Sequence, residues 1–319
     1  MTPAPARVVA VVVSHQRREL LGRCLEAVAA QTRACDAVVV VDNASTDGAP
    51  DLVRQRFAGV DLVELGRNTG GAGGFAAGMA RALQRHDADL LWLMDDDTVP
   101  RPDALAELLA CREGHPGRPV LVASRVLWSD GTEHPMNTPR RRPGASAQEI
   151  ADAERVDAVP VRSASFVSLL VDAAATRRAG LPLADFFLWN DDFEFTTRLL
   201  RNGAGLASRR STVDHLSARR GASDDDPGER FYFEVRNKLW TFTRSAGLRP
   251  SERLLYLGST VVRWGRTMAR SSDRGLLLRA AARGARDGVR GPRGTAAVLA
   301  GLGDVSVDVE AVDRGDARG

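Results

Sequence analysis

Residues 90–100 read LLWLMDDDTVP, and the fold is decided where the apolar half of that stretch meets the acidic half. Leu90, Leu91, Trp92, Leu93 and Met94 have the length and composition of a buried strand. Asp95, Asp96 and Asp97 follow without a spacer. Three adjacent carboxylates repel one another and are costly in an apolar interior, so a chain that places them at the end of a buried strand calls for a cation there. Oxygen ligands of this kind suit Mg²⁺ or Mn²⁺, ions that keep coordination positions open for water and substrate phosphates. The bland alternative is a solvated strand-to-loop corner, and the flanking sequence has to decide.

Upstream, VVAVVV at residues 8–13 carries β-branched residues at nearly every position, the pattern of a strand covered on both faces. Ser14, His15, Gln16 and Arg17 form a polar turn, residues 19–31 place Leu20, Leu21, Leu25 and Val28 at helical spacing, and residues 37–41 read as a second buried strand ending at Asp42. Strand, helix and strand in that order predict a right-handed βαβ unit in a parallel sheet. Ligands bind beyond the carboxyl ends of such strands, where Ser14, Asp42 and Asp95 all fall. A third strand over residues 60–65 runs into GRNTGGAGGF at residues 66–75, ahead of a helix over 75–85. Its glycines permit positive φ and close backbone approach, and its place before a helix and the carboxylate strand favours a wall of the substrate cleft over a purely structural tight turn. It is neither a P-loop nor a dinucleotide fingerprint: no Gly-Lys-Ser/Thr closes it, and the first strand is followed by Ser-His.

Downstream, the sequence predicts a short helix from Pro102 to about Cys111, a strand at 120–123, a long loop over 131–147 and an apolar strand over 164–171. FFLWNDDFEF at residues 186–195 then puts an acidic group on the first turn of a helix. Compensation of the helix dipole explains one acid there, not Asp191, Asp192 and Glu194 together beside Trp189. A carboxylate held at a helix N-terminus is a rigid general-base candidate. His215, closing VDH at 213–215, is either a satisfied structural histidine or a ligand to the ion at the aspartates.

The 319 residues, 44% hydrophobic and 27% charged, are ordinary for a globular protein, as one large domain or one domain with an appended module. Formal charge is only +3, yet arginines crowd residues 236–293, a distribution that fits an anionic partner. Leu254, Leu255, Leu257, Val261, Val262 and Trp264 alternate with Arg253, Arg263, Arg266 and Arg270, and residues 276–289 repeat the character. Such helices lie in a membrane interface, although the same face suits a solvated surface or an oligomer contact. Without interleaved aromatics the arginines do not read as a nucleic-acid site. No stretch reaches the roughly 20 apolar residues of a membrane span, and the run at 8–13 is too short for a signal peptide, so a soluble or peripheral protein is expected. Cys24, Cys35 and Cys111 are odd in number and lack metal-ligand spacing, which favours a reducing, cytosolic setting. Residues 303–319 are acidic and contain glycine, the composition of a loose tail.

Six segments, VVVSHQR (11–17), VDNASTD (41–47), RNTGGAGGF (67–75), WLMDDD (92–97), WNDDFEF (189–195) and GERFYFEVRNKLW (228–240), resemble in order and spacing the inverting GT-A glycosyltransferases of family 2. The likeness is greatest to bacterial galactofuranosyl- and rhamnosyltransferases of cell-wall and polysaccharide assembly, and covers about residues 8–240. It implies an α/β GT-A fold over residues 1–240, with a Rossmann-like, mostly parallel central sheet flanked by helices. A basic amphipathic helical region (241–300) and an acidic flexible tail (301–319) would follow. By position it implies nucleotide-sugar contacts from Ser14, Asp42, Asn68, Gly70, Gly71, Asp95, Asp96 and Trp189. It further implies Mn²⁺ or Mg²⁺ on Asp95, Asp97 and His215, and a general base at Asp192, with Asp191 as the alternate. The implied reaction is inverting transfer of galactofuranose from UDP-galactofuranose to a glycan or polyprenyl-diphosphate-linked acceptor, at the cytoplasmic face of an anionic membrane. Rhamnosyl transfer from dTDP-rhamnose, or nucleotide-sugar binding without turnover, are the alternatives. The residues agree with such chemistry: a leaving diphosphate needs its growing charge neutralised, and an acceptor hydroxyl needs a base on the opposite face of the sugar.

Overall fold

The N-terminal apolar runs form β1 (Val8–Ser14), β2 (Ala37–Asp42), β3 (Asp61–Glu64) and β4 (Leu90–Asp95), connected in turn by α1 (Arg18–Ala29), α2 (Ala49–Arg56) and α3 (Gly70–Arg85). The computed structural model describes residues 5–217 and 226–315. These four strands pair in parallel in the order β3-β2-β1-β4, as βαβ crossovers require. Both faces of β1 are covered: Val9, Val11 and Val13 face one core with α3, while Val8, Ala10 and Val12 face a second with α1 and Trp92. The register sets Ser14 beside Asp42 and Val13 beside Asp95, so three strand ends share one edge.

The remainder of the sheet is mixed. β5 (Thr98–Pro100), α4 (Ala104–Gly114), β6 (Leu121–Trp128), β7 (Arg140–Arg141), α5 (Ala147–Glu154), β8 (Ala158–Ser163), β9 (Leu169–Asp172), α6 (Ala173–Ala179), α7 (Asp191–Leu199) and β10 (Gly205–His215) follow. Strand order is β3-β2-β1-β4-β9-β6-β10-β8-β7, with β5 paired to β10. β9 is antiparallel to both its neighbours, β6 and β10 are parallel, and β5 and β8 run antiparallel to β10. Parallel pairing is continuous only in the half of the sheet that starts the chain, with β6–β10 a further parallel pair, so the sheet expected to be mostly parallel is mixed.

Four local expectations are corrected. The helix expected at residue 75 starts at Gly70, because glycines seat α3 directly on β1: a Cβ on Gly74 would lie 2.5 Å from Val13, and one on Gly78 would lie 2.4 Å from Val11. The strand expected over 164–171 is confined to β9, since Ser168 adopts φ 54° and its hydroxyl is tied to Trp92 Nε1 and Ser124. The loop expected over 131–147 contains β7 and ends in Ser146, whose capping box with Glu149 starts α5. The acidic tail forms α12 (Asp304–Arg314). Val305, Val309 and Val312 are buried in the core with α3, and the buried Asp308 binds Arg85 Nε at 2.8 Å and Arg81 Nη1 at 3.4 Å, while Asp304, Glu310 and Asp313 stay exposed. Residues 1–4, 218–225 and 316–319, which fall in the expected catalytic domain and tail, lie outside the described residues.

The expected boundary at residue 240 falls within α8 (Phe231–Thr243). Phe231 and Val235 of α8 pack on Leu277 and Ala280 of α10 (Arg274–Gly288), and Phe193, Phe242, Leu248 and Tyr256 tie α7 and α8 to α9 (Pro250–Arg270). α11 (Thr295–Leu299) and α12 then return to α3. No helix among the described residues is long and apolar enough to cross a membrane.

Candidate active site

The acidic strand end and His215 meet through the sheet. Pairing of β5 with β10 sets His215 opposite Thr98, and His215 Nε2 lies 2.9 Å from Asp97 Oδ1. Asp95, Asp97 and His215 can each offer one ligand atom, all within 4.8 Å of one another. Burial, reinforced by Asp97 and Asp96, pushes the Asp95 carboxyl well above the usual range, and burial pushes Asp96 up to about 6 against the pull of Arg17. Asp97 is also buried, but the hydrogen bond and charge of His215, with Arg17, hold it below its ordinary value. Arg17 supplies the local cation, with Nη1 at 3.2 Å from Asp96 Oδ1 and an ion pair to Asp97. Two carboxylates and an imidazole fit a divalent cation, whose charge would favour the ionised form of Asp95 against the burial and neighbouring carboxylates that raise it.

Beside this group the β1 and β2 ends are cross-braced. Asp96 Oδ2 accepts from Ser14 Oγ at 2.9 Å and from the His15 N–H at 3.1 Å. His15 Nδ1 donates to the Asn43 carbonyl at 2.9 Å, which leaves Nε2 to accept from Asn68 Nδ2 at 3.1 Å. Asn68 Oδ1 accepts from Gly70 N–H, while Asn43 binds Thr69 and the Gly70 carbonyl. Asp42 accepts from Ser45 N–H through Oδ2, and its Oδ1 is buried without a partner among the described residues. A buried open acceptor at a parallel strand end is where a ligand's donor group would be satisfied.

The WNDD segment approaches from the other side on a strained turn. Phe187, Trp189 and Asn190 take φ of 61°, 64° and 67°, a region costing non-glycine residues about 1–3 kcal/mol each. Side chains of α8 hold it there. Asn237 Nδ2 donates to the carbonyls of Phe186, Leu188 and Trp189 at 2.9, 2.8 and 2.8 Å, and Arg236 Nη2 donates to those of Asp185 and Phe186 at 2.7 and 3.0 Å. Gly70 is required by the same turn: a Cβ there would sit 2.0 Å from the Phe187 carbonyl oxygen.

The acids at the start of α7 separate by environment. Glu194 is buried against Arg198, with two oxygen–nitrogen distances of 3.0 Å, and accepts from Ser245, so it is structural. Burial, then the charge of Asp192, pushes Asp191 up to about 8. Asp192 is also raised by burial, but the Phe193 N–H at 2.6 Å and the charges of Lys238 and Arg140 oppose the shift.

A cavity of about 1120 Å³ joins the two ends. Asp95, Asp97 and His215 line it together with Trp189, Asp191 and Asp192, and Gly71 contributes to the wall. Ser14, Asp42, Asn68, Gly70 and Asp96 do not line it; they form the braced strand-end network next to it. Sequence reasoning missed Arg140, Glu234, Arg236, Asn237 and Lys238. The last four stand in the segment 228–240, but a helix presents successive residues in different directions, so spacing alone does not show which of them reach the site.

A parallel sheet edge bearing an Asp-x-Asp group, with a second carboxylate pair across one cavity, defines a glycosyltransferase of the GT-A type. Residues 9–174, just over half of the chain, match glycosyl transferase family 2, and the chain belongs to that family. It is 33% identical over 266 residues to galactofuranosyltransferase GlfT1 of Mycobacterium tuberculosis (strain ATCC 25618 / H37Rv), covering 76% of this chain and 84% of the relative. GlfT1 of Mycolicibacterium smegmatis is 34% identical over 204 residues, covering 61% and 66%. Among solved structures, S. aureus TarS 1-349 superposes with a TM-score of 0.60 at 15% identity, covering 97% of this chain and 92% of that one. The mannosyltransferase PcManGT of Pyrobaculum calidifontis, in complex with GDP-Man and Mn²⁺, gives 0.54 at 18% identity, covering 99% and 86%. The structural likenesses establish the fold.

Proposed function

We propose that this glycosyltransferase moves galactofuranose from UDP-galactofuranose to a hydroxyl of a glycan or polyprenyl-diphosphate-linked acceptor in cell-wall synthesis, with inversion at the anomeric carbon. The observation that carries the reading is the convergence of Asp95, Asp97 and His215 with Asp191 and Asp192 on one cavity. The likeness to relatives named galactofuranosyltransferases supports galactofuranose as the sugar.

In this reading Asp95, Asp97 and His215 hold Mn²⁺ or Mg²⁺, which when bound offsets the charge growing on the leaving diphosphate. The open Asp42 Oδ1 takes a donor of the base or ribose, and the Ser14–Asp96 and His15–Asn68 braces fix the backbone that the nucleotide lies against. Gly70 and Gly71 leave room for the diphosphate, and Trp189 faces the sugar from the turn held by Asn237. Asp192 takes the proton of the acceptor hydroxyl as that oxygen attacks C1 from the face opposite the diphosphate. The C1–O bond to the phosphate breaks and UDP departs. Asp192 is preferred to Asp191 as base because Lys238 and Arg140 favour its ionised form, while burial keeps a proton on Asp191.

Helix α9 supports a peripheral contact with an anionic bilayer at the cytoplasmic face. Leu254, Leu255, Leu257, Val261 and Val262 are exposed on it, flanked by Arg253, Arg266 and Arg270, the pairing an interfacial helix needs. Calorimetry with Mn²⁺ and UDP-galactofuranose, UDP-galactose, UDP-glucose and dTDP-rhamnose tests the donor. Tightest binding of UDP-galactofuranose is expected; preference for dTDP-rhamnose would reassign the sugar, and binding without any transfer would leave a nucleotide-sugar-binding protein.

A further inference from the structure

Lys238 is only 4% exposed, lines the cavity, and makes no hydrogen bond or ion pair among the described residues. Its Nζ lies over the Phe193 ring at 4.3 Å. The nearby acids are engaged elsewhere: Glu234 accepts from Asn190 at 2.9 Å, from Trp264 at 3.1 Å and from Arg263, while Asp192 Oδ1 accepts from Phe193 N–H. Arg140, on the same cavity, packs over Phe193 and Tyr256 at 5.4 and 5.9 Å and likewise has no acidic partner among the described residues. Asp192 and Glu234 act on this ammonium only through space, a buried cation with no direct partner is costly, and a residue that merely packed there would be served by an uncharged side chain. The two cations share a phenyl ring and open onto substrate space. An anion arriving in the cavity would meet both.

We infer that Lys238 and Arg140 form a subsite for a phosphate or diphosphate group carried by the acceptor. The assignment to the acceptor rests on the proposed function, in which Asp192 receives the acceptor hydroxyl and Asp95, Asp97 and His215 receive the donor's diphosphate. Lys238 Nζ sits over the ring of Phe193, the residue next to Asp192, and all three line the same cavity, so an anion at Lys238 belongs to the molecule presented to Asp192. The geometry also explains an otherwise adverse arrangement: the acceptor anion screens the two cations from each other. Arg263, Trp264 and Thr267 of α9 line the same cavity, so the anion would enter beside the helix proposed to lie on the bilayer, as the headgroup of a lipid-linked acceptor must.

The test is calorimetric titration of the full chain in EDTA with geranyl diphosphate, inorganic pyrophosphate and glycerol 3-phosphate. Both diphosphates are expected to bind the wild type, with affinity reduced about tenfold or more by Lys238→Met and by Arg140→Gln and largely kept in Lys238→Arg. Thermal melts check that the variants are folded, and the exposed Arg140 keeps the test decisive if Lys238→Met unfolds. With Mn²⁺ and UDP present, geranyl diphosphate is expected to bind still. Absence of binding, equal binding by wild type and both variants, or displacement by UDP–Mn²⁺ would overturn the subsite. Glycerol 3-phosphate binding as tightly as the diphosphates would assign the cations to a phospholipid headgroup and overturn the acceptor assignment. Because binding is read without transfer, the outcome does not depend on which sugar is moved.

Discussion

Asn237 Nδ2 donates to the Trp189 carbonyl at 2.8 Å, and with it to those of Leu188 and Phe186, so one amide on α8 holds the turn that presents the acidic start of α7. Replacement by Ala takes this donor from the Leu188 and Trp189 carbonyls, Phe186 keeping Arg236, and releases a turn whose residues sit at positive φ. Asn237→Ala is expected to lower stability by about 1–3 kcal/mol and turnover by at least tenfold, with donor affinity changed less. Chemical denaturation and single-turnover kinetics check it; wild-type turnover would show that the turn needs no such clamp.

Removing His215 or Asp97 acts at the opposite end. His215→Ala and Asp97→Ala are each expected to weaken Mn²⁺ binding by more than about tenfold, as measured by Mn²⁺ electron paramagnetic resonance, with the fold retained by circular dichroism. Unchanged Mn²⁺ affinity in both variants would move the ion away from these residues.

Asp191 predicts a pH signature of stability. Its folded value of about 8 lies above its ordinary value of 3.8, so between these limits the folded state holds a proton that the unfolded chain releases. That contribution is fully present below the ordinary value and is lost as pH rises through the folded one. Groups lowered on folding, such as Asp61 and Glu252, have the opposite slope, so the difference between wild type and variant is the informative quantity. In metal-free protein Asp191→Asn should gain melting temperature relative to wild type on going from pH 5 to pH 8. A difference independent of pH would show that Asp191 is ionised throughout.

How much of this was legible in the sequence depends on distance along the chain. The buried strands with Asp42 and Asp95 at their ends were readable because composition and order fix a parallel sheet and its ligand-binding edge. The start of α3 was misread because glycines signal a loop locally, whereas here their missing Cβ atoms let the helix touch Val11 and Val13. The tail was misread because the charges of Arg81 and Arg85 that order Asp308 lie more than 200 residues away. Lys238 and Arg140 escaped for the same reason: only the fold brings α8 and β7 to one cavity.

The exposed face of α9 gives a separable prediction. Leu254→Glu with Val261→Glu should reduce binding to phosphatidylglycerol vesicles at least tenfold while leaving turnover of a water-soluble acceptor unchanged, and added salt should weaken wild-type binding. Vesicle binding unaffected by both substitutions and salt would place the bilayer contact elsewhere.

The most direct test of the central claim is the NMR spectrum of the product formed from UDP-galactofuranose with Mn²⁺, by the wild type and by Asp192→Asn. The account predicts a galactofuranoside of anomeric configuration opposite to the donor's from the wild type, and transfer reduced by at least about a thousandfold in Asp192→Asn with UDP still bound. Retained configuration, or near-normal transfer by Asp192→Asn, would contradict in-line displacement assisted by that carboxylate.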